Sequence, residues 1–538
     1  MKVLSNASAT FRNITSEIQK SPTKILIVAT LLFFVPIFLI YYKESVSFNF
    51  IDEYNNFLAG YFLIKGYTLY SQIFFQHQPL MAYISYVLQI VLHPTTLYKL
   101  VMYHRLAIIF VSLAFDLLLV YRFRFVGLGF VIIFELSKFY LFGNVFLAES
   151  MVVYPLVYLL GLVWENLHKR TIAHWEIIFA SLLTFFVVFM REPYIPTALI
   201  LFAIVLIPKR PLKIKLISIL LFLFLSAMVL LTLPIHDYLF ELTSVNVTGV
   251  IAEEVQQSHI AGLGIVTIFI YPLLILTQGL MNYFRGVLVL IDLPFLIGIF
   301  FYSVSAKQWK KGLLLLAILG ISNIRIEPPG TIFYGAYHMV VWYGLFIFMT
   351  LFLVKKMYET KQYMAIKTIT SILLLLLLTY LLLPSNVLLW QKIDKQTVFA
   401  ANYDKYYTTG EVVHNLANNK TTFFADGWDS LVYWQADVRD PYPYLFYYLP
   451  MTNYPLYTQA RAVMFGDNPP EFVYSNCTLY KNKLMTYSFK EYARGNYEVF
   501  YFGHTPTCLY IKKSAIESLT QTQWKSIKQF GYYLKSKN

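Results

Sequence analysis

The sequence predicts a polytopic α-helical membrane protein with a small α/β domain at its C-terminal end. Three observations lead there. Of the 538 residues, 58% are hydrophobic and only 13% charged, whereas a soluble globular chain is about 45–50% apolar and about 25% charged. Mean hydropathy is +0.57. Apolar runs of bilayer length recur up to residue 384, after which the chain turns polar and rich in tyrosine. The formal net charge of +14 would suit a nucleic-acid partner. Its basic residues, however, cluster in short loops between apolar runs, where they set topology, so no nucleic-acid partner is expected.

A helix crosses the hydrocarbon core with roughly 17–25 residues. Eleven runs are read as spans: 24–42, 97–121, 125–142, 149–166, 172–190, 193–207, 214–234, 286–304, 312–325, 332–354 and 367–384. The shorter ones need tilt-free packing or an extra turn from their flanks. The run at 24–42 lacks a small-residue cleavage site and exceeds the length of a signal-peptide core, so it is expected to be retained as the first span. Segment 79–93 is short, amphipathic and opens on Pro79, as suits a helix lying in the interface. Segment 263–283 is apolar enough to span but carries Pro272. With a cytoplasmic N-terminus and both segments left in the interface, the cytoplasmic loops hold Arg122, Arg124, Lys169, Arg170, Lys209, Arg210, Lys213, Lys215, Lys307, Lys310, Lys311, Lys355 and Lys356. That is a strong positive-inside pattern. Letting both segments cross turns the loops at Arg122, Lys169 and Lys209 outward.

The expected architecture is therefore about eleven spans plus two interfacial helices. Residues 1–384 form the transmembrane domain, with a first outer loop at 43–96, and residues 385–538 a soluble extracytoplasmic domain. Loop lengths of bacterial style point to the plasma (inner) membrane. In the tail, a helical pattern at about 404–418 precedes short strand-like runs at 421–425, 471–475, 497–502 and 508–512. Gly427, Pro441, Pro443, Pro450, Pro455 and Pro469-Pro470 punctuate it. Both cysteines, Cys477 and Cys508, fall there. In an oxidising compartment they would form a bridge worth roughly 3–4 kcal/mol; two unpaired thiols are the alternative.

On this topology the unusual polar residues gather at the outer face. Asp52, Glu53 and His77 lie in the first outer loop, and Asn144 and Glu149 in the next turn. Arg191-Glu192 follow, then His236, Asp237, Glu253, Glu254 and His259 in the loop 235–262. Arg285 comes after the second interfacial segment, and Arg325, Glu327, Tyr334, Tyr337 and His338 before the tenth span. Charge at a membrane boundary is costly and is usually kept for function. A carboxylate near an apolar wall gains basicity and suits a general base, while arginine forks suit a phosphate. Together they describe group transfer from a phosphorylated donor. A phosphodiester leaving group needs cations but no general acid, so one catalytic carboxylate suffices, unlike the paired carboxylates of glycoside hydrolases.

Asp52-Glu53, the amphipathic run 54–66 and the Phe75-Gln76-His77-Gln78-Pro79-Leu80 signature resemble the first outer loop of GT-C glycosyltransferases. The pattern is most similar to the protein O-mannosyltransferase and aminoarabinose-transferase branches and related bacterial membrane glycosyltransferases. Arg105-Leu106 in the second span, Glu149 and a soluble tail extend the resemblance over most of the chain as architecture. It implies an inverting transfer of a hexose-type sugar from a polyprenyl-phosphate donor to a glycan, lipid or protein acceptor at the outer face. It further implies Asp52 as the catalytic acidic position, Glu149 as a second acidic position and His77 as the basic residue before the prolines. On the chemistry of the residues themselves, Glu53 or Glu149 would position the acceptor or a metal, and His77 would join the contacts to the donor phosphate. Arg191, Arg285, Arg325, Tyr337 and His338 would contact the donor phosphate. The sequence departs from the pattern in carrying Gln78-Pro79 where a Pro-Pro pair is common, and Glu149 where many relatives carry aspartate.

Structural roles compete with each of these. Asp52 and Glu53 also suit the start of the helix near Tyr54, His77 an interfacial anchor, and Glu149 a packing pair with a basic neighbour. Arg191 could simply contact Glu192 or lipid headgroups, and Arg105 could join Asp116 or backbone carbonyls. No HExxH, CxxC or EF-hand spacing occurs. A divalent ion, Mg or Mn, would have to be assembled from distant turns, with Asp52 and Glu149 as candidate ligands. Walker A, dinucleotide-binding and GxSxG patterns are absent as well. Two other functions fit the composition: a transporter or lipid flippase, which predicts charge deep in the membrane, and a non-catalytic envelope scaffold indifferent to the loss of Asp52.

Overall fold

The computed structural model describes residues 22–208, 210–251, 265–277, 283–305, 307–323, 334–360, 364–383, 392–418, 420–426, 430–438, 455–475 and 495–537. Of the described residues 75% are helical. Its helices begin with α1 (Pro22–Glu44), α2 (Asp52–Ile64), α3 (Leu80–Leu92), α4 (Leu97–Phe123), α5 (Phe125–Ser137), α6 (Ala148–Leu167), α7 (His174–Val188) and α8 (Ile195–Leu206). They continue with α9 (Leu212–Leu231), α10 (Ile235–Leu239), α11 (Ile265–Thr277), α12 (Tyr283–Phe300), α13 (Trp309–Ile321), α14 (Met339–Tyr358) and α15 (Met364–Leu382). The tail adds α16 (Lys395–Leu416), β1 (Phe423–Asp426), α17 (Val432–Ala436), α18 (Pro455–Asp467) and β2 (Phe472–Ser475). It ends with β3 (Tyr497–Phe502), β4 (Thr505–Lys512), α19 (Lys513–Ile516), α20 (Gln521–Gln529) and β5 (Tyr532–Tyr533).

Among the described residues, 7 helices are long and apolar enough to cross a membrane: α1, α4, α6, α9, the stretches Phe284–Val304 and Ala336–Tyr358 around α12 and α14, and α15. They coincide with seven of the eleven expected spans, and the architecture fits a polytopic helical membrane protein. The other four expected spans form α5, α7, α8 and α13, of 13, 15, 12 and 13 residues. At 1.5 Å per residue these are about 18–23 Å long, short of a hydrocarbon core of about 30 Å. Their ends have local causes. A 3-10 turn at Lys138–Leu141 follows α5 and leads into Phe142, whose φ is 58°. Pro193 is the middle residue of the 3-10 turn Glu192–Tyr194 between α7 and α8. Length thus supports seven spans. Segment 263–283 contributes the 13-residue α11, and 79–93 the 13-residue α3. On α3, Met81, Ala82, Ser85 and Gln89 are buried while Val87, Ile90, Val91 and Leu92 are exposed, the amphipathic division the sequence predicts.

The chain divides into two compact units, neither continuous in sequence. The first comprises Met1–Lys43, Arg105–Ser226 and Ile260–Lys392; the second comprises Glu44–His104, Ala227–His259 and Ile393–Asn538. The first loop and the tail therefore share a unit.

Within the first unit, α6 and the stretch around α14 are 89% and 94% buried, against 6% for α9. The former two are its centre and α9 its apolar margin. They meet closely because Gly344 leaves room for Val153; a Cβ on Gly344 would stand 2.3 Å from Val153 Cγ2. Small residues at helix contacts allow such approach where lipid provides no hydrophobic drive. At another contact Phe34, Ile37 and Tyr41 of α1 pack with Ile109 of α4.

The second unit contains a five-stranded sheet in the order β1-β2-β4-β3-β5. β1 and β2 are parallel, pairing Phe423 with Phe472 and Ala425 with Tyr474. The remaining pairs are antiparallel. A two-residue turn at Gly503-His504 joins β3 to β4; the φ of 57° at Gly503 meets the left-handed geometry such hairpins need. Phe423, Ala425, Phe472, Val473, Phe500, Leu509 and Ile511 are among its most deeply buried positions. Cys508 on β4 is disulfide-bonded; the chain's other cysteine, Cys477, lies outside the described residues. In the same unit α2 packs on α3 at Gly60, where a Cβ would lie 2.7 Å from both the Ser85 carbonyl carbon and the Tyr86 nitrogen. Backbone cannot yield as a side chain can. Gly60→Ala is therefore expected to lower stability by about 1–3 kcal/mol, read as a lower unfolding temperature of the purified protein.

Candidate functional site

The polar loop that opens the second unit is held from a distance. Asn402 of α16 donates its side-chain amide to the Ser47 carbonyl at 3.1 Å, and the Tyr403 hydroxyl donates to the Phe48 carbonyl at 2.9 Å. Asn49 donates in return to the Asn402 carbonyl at 3.1 Å and accepts from Tyr54. α2 starts from this anchored stretch. Ile51 occupies its N-cap position without a side-chain cap bond, and Asp52 and Glu53 fill the first turn. Neither carboxylate is the N-cap residue, but both lie where unpaired amides and the helix dipole favour negative charge. Glu53 is fully buried and Asp52 half-buried.

His77 is half-buried too. Its carbonyl accepts from the Tyr70 hydroxyl at 2.8 Å and its ring stands edge-on to Phe75 at 6.1 Å. The segment around α10 clasps this loop. The Phe75 amide donates to Glu241 Oε2 at 2.7 Å and the Tyr238 hydroxyl to Gln78 Oε1 at 2.9 Å, with the Tyr70 and Tyr238 rings edge-on at 5.0 Å. Burial raises the Glu241 pKa well above the ordinary carboxyl range; Asp237 adds to this, while the Phe75 amide and Tyr457 act against it. Glu241 is a residue the sequence reading misses, since its loop offers His236, Asp237, Glu253, Glu254 and His259 as more conspicuous candidates. His236 and Asp237 contact each other at 3.2 Å in exposed positions; the other three lie outside the described residues.

At the far end of α2, Lys65 Nζ lies 2.7 Å from Asp437 Oδ1, which also accepts from the Tyr61 hydroxyl at 2.6 Å. Two cavities share these three residues. One, of about 520 Å³, extends to Phe62, Tyr67 and Gln72. The other, of about 470 Å³, extends to His93, His414 and Trp434. Both have the size of small-ligand sites.

The remaining expected site residues belong to the first unit. Arg191 Nε donates to Glu149 Oε1 at 2.8 Å, both side chains are buried, and Glu192 is 3.9 Å from the guanidinium. Burial alone would lower the Arg191 pKa, but Glu149, Glu192, Tyr337 and Tyr194 together raise it above the ordinary arginine value. The Tyr194 hydroxyl donates to the His338 carbonyl at 3.2 Å, and the Tyr337 and His338 rings are 4.1 Å apart. The structure thus brings Glu149, Arg191, Tyr337 and His338 into one neighbourhood, with Glu149 rather than Glu192 as the closer partner of Arg191. Arg285 lies in the first turn of α12. Arg325 and Glu327 lie outside the described residues, as does the Tyr334 side chain. Arg105 is fully buried, but the alternative that joins it to Asp116 fails. The two stand three turns apart on one helix, about 16 Å, and the Asp116 carboxylate has no hydrogen-bond partner among the described residues.

No protein-family model, curated protein or solved structure matches the chain. The two acidic positions considered as metal ligands, Asp52 and Glu149, fall in different units. Among the described residues no group of three or more His, Cys, Asp and Glu side chains is placed to hold a metal ion.

Breaking a buried ion pair from one side leaves an uncompensated charge, at a cost of about 3–5 kcal/mol. Glu149→Gln is expected to lose about that much, and Glu149→Gln combined with Arg191→Met to recover most of it, measured by denaturation in detergent. For Glu241, a folded-state pKa raised above the unfolded value (about 4.3) means full stability below that value and loss as pH rises through the folded one. The unfolding temperature of the wild type should fall with rising pH by more than that of Glu241→Gln. Parallel slopes would show that Glu241 titrates alike in both states.

Proposed function

We propose that the chain is an integral membrane glycosyltransferase of GT-C type, acting on a polyprenyl-phosphate sugar donor at the outer face of the plasma membrane. In this reading the shorter helices α5, α7, α8 and α13 complete a bundle of about eleven spans, with α3 and α11 in the interface. The N-terminus is cytoplasmic and residues 385–538 are extracytoplasmic. The observation that carries the reading is the first loop, with half-buried Asp52 beside buried Glu53 in the first turn of α2. A carboxylate so placed can receive a proton without drifting out of position.

The reaction then proceeds as follows. Asp52 takes the proton from an acceptor hydroxyl or amine as that atom attacks the anomeric carbon. The bond from that carbon to the phosphate oxygen breaks, and polyprenyl phosphate departs with the electron pair, inverting the centre. Glu53 or Glu149 positions the acceptor, or would hold a divalent ion, Mg or Mn, to offset the phosphate charge. His77, Arg191, Arg285, Arg325, Tyr337 and His338 stabilise the lipid-linked phosphate. Along α2, Tyr61 and Lys65 stand about 14–20 Å from Asp52. The cavities at that end, with Tyr67 and Trp434 in their walls, suit the distal part of an extended glycan, lipid or protein acceptor. A transporter or lipid flippase is the second reading; buried charge among α4, α5 and α6 favours it.

The test compares wild type and Asp52→Asn in membranes with a panel of radiolabelled polyprenyl-phosphate sugars. Transfer by the wild type, reduced about 10²–10⁴-fold in a folded variant, supports the reading. Equal transfer by both removes Asp52 from the mechanism. Transfer by neither across the panel counts against the enzyme and leaves the transport and scaffold functions ahead.

A further inference from the structure

Inside the first unit, α1, α4, α5 and α6 enclose a cluster of polar side chains. Lys138 follows α5 directly. Its ammonium donates to Glu135 Oε1 at 2.9 Å, to Ser112 Oγ at 2.8 Å and to the Tyr154 hydroxyl at 2.5 Å. Glu135 Oε2 is 2.7 Å away. The Tyr154 hydroxyl lies 2.6 Å from both Ser112 Oγ and Glu135 Oε1. From α1 the Tyr41 hydroxyl donates to the Glu135 carbonyl at 2.9 Å. The rings of Tyr41, Phe134 and Tyr154 lie 5.2, 5.6 and 5.2 Å from the ammonium. Asp116, on α4 one turn after Ser112, is fully buried, and neither of its oxygens has a hydrogen-bond partner among the described residues. The charged groups facing it are Glu135 and Lys138.

The charges do not balance. Two carboxylates share one ammonium, and the ammonium is committed to Glu135, so full ionisation leaves a net negative charge and no donor among the described residues at Asp116. A bare carboxylate inside a helical membrane bundle is among the costliest arrangements available to a side chain. Tyr41 and Tyr154, with Tyr140 beside Tyr41, are neutral hydroxyl groups and add no positive charge.

We propose that this cluster is a binding site for one exchangeable proton, carried on Asp116. In binding, a proton delivered by hydronium forms an O–H bond on Asp116 and releases neutral water; in leaving, it returns to water. Without it, the Lys138 ammonium faces two carboxylates instead of one. The turn after Lys138 ties that competition to α6. The Gly143 amide donates to the Lys138 carbonyl at 2.9 Å, and the same turn runs on to Glu149, the partner of Arg191. The site uses none of the residues assigned to glycosyl transfer and holds for an enzyme or a transporter alike.

Infrared spectroscopy of the full chain in lipid nanodiscs tests this without any activity assay. The wild type should show a protonated-carboxyl stretch that shifts in D2O. Asp116→Asn, whose amide imitates the neutral acid, should lose one carboxyl's share of that band while keeping a wild-type unfolding temperature. Lys138→Met strips the ammonium from two carboxylates and should add a second share, so it decides the matter even if Asp116→Asn misfolds. Glu241→Gln and Asp292→Asn, the latter on α12, remove the contributions of two further buried carboxyls. A band unchanged in both Asp116→Asn and Lys138→Met overturns the proposal. So does a wild type that lacks the band and gains thermal stability with added sodium, since a metal cation then supplies the missing charge.

Discussion

The first polar loop has a defined shape because a helix far along the chain hydrogen-bonds its backbone. Asn402 and Tyr403 of α16 supply donors to the carbonyls of Ser47 and Phe48, groups that would be costly to bury unpaired. With those carbonyls fixed, α2 leaves the anchored stretch in one direction, and Asp52 and Glu53 are carried on its first turn. α2 in turn seats α3 through the bare backbone at Gly60. The Gln89 amide then closes on the Phe57 carbonyl at 2.7 Å, and the Trp434 indole on Gln89 at 3.1 Å. Each contact presupposes the one before it, and the series starts at α16.

The first unit solves a different problem, the placing of charge where water is excluded. Arg191 and Glu149 balance each other, and a second carboxylate from Glu192 stands close by. Arg122 and Glu176 pair at the opposite end of α7, with Tyr158 donating to the same carboxylate at 3.1 Å. Around Lys138 the count is uneven, and aromatic rings supply the remaining stabilisation of the ammonium. The unit therefore contains both kinds of buried charge, the kind that closes on itself and the kind that requires something from outside.

Much of this was legible in the sequence. Hydropathy located all seven long apolar helices, because a run of apolar residues is its own signal. The tail's strands at 423–426, 472–475, 497–502 and 505–512 fell within a few residues of their expected places, since alternation and turn residues bracket them. β5, two residues long, gave no such signal. The expected spans at α5, α7 and α8 run longer than the helices because a hydropathy window does not register the break at Lys138–Leu141 or at Pro193. The same averaging hid Glu135 and Lys138 inside an apolar run and left Asp116 visible only as a possible partner for Arg105. Glu241 was obscured differently, in a long loop without periodicity, where its buried contact with Phe75 depends on segments some 166 residues apart. The grouping of residues 44–104, 227–259 and 393–538 into one unit arises from such distant pairings, which composition cannot reveal.

That discontinuous unit bears on how the protein is made. α16 lies 355 residues beyond the carbonyls it satisfies at Ser47, and at about 5–20 residues per second the ribosome needs about 20–70 s to reach it. Throughout that interval the first loop is already synthesised, with Ser47 and Phe48 solvated and α2 lacking its anchor. The helices of the first unit can insert and pack in the meantime, but the second unit cannot close until the last quarter of the chain emerges. A ribosome that stops after the final apolar helix would leave a membrane-inserted bundle whose opening loop never takes its final shape. Such a product would be recognisable to cellular quality control by that exposed loop rather than by any missing span.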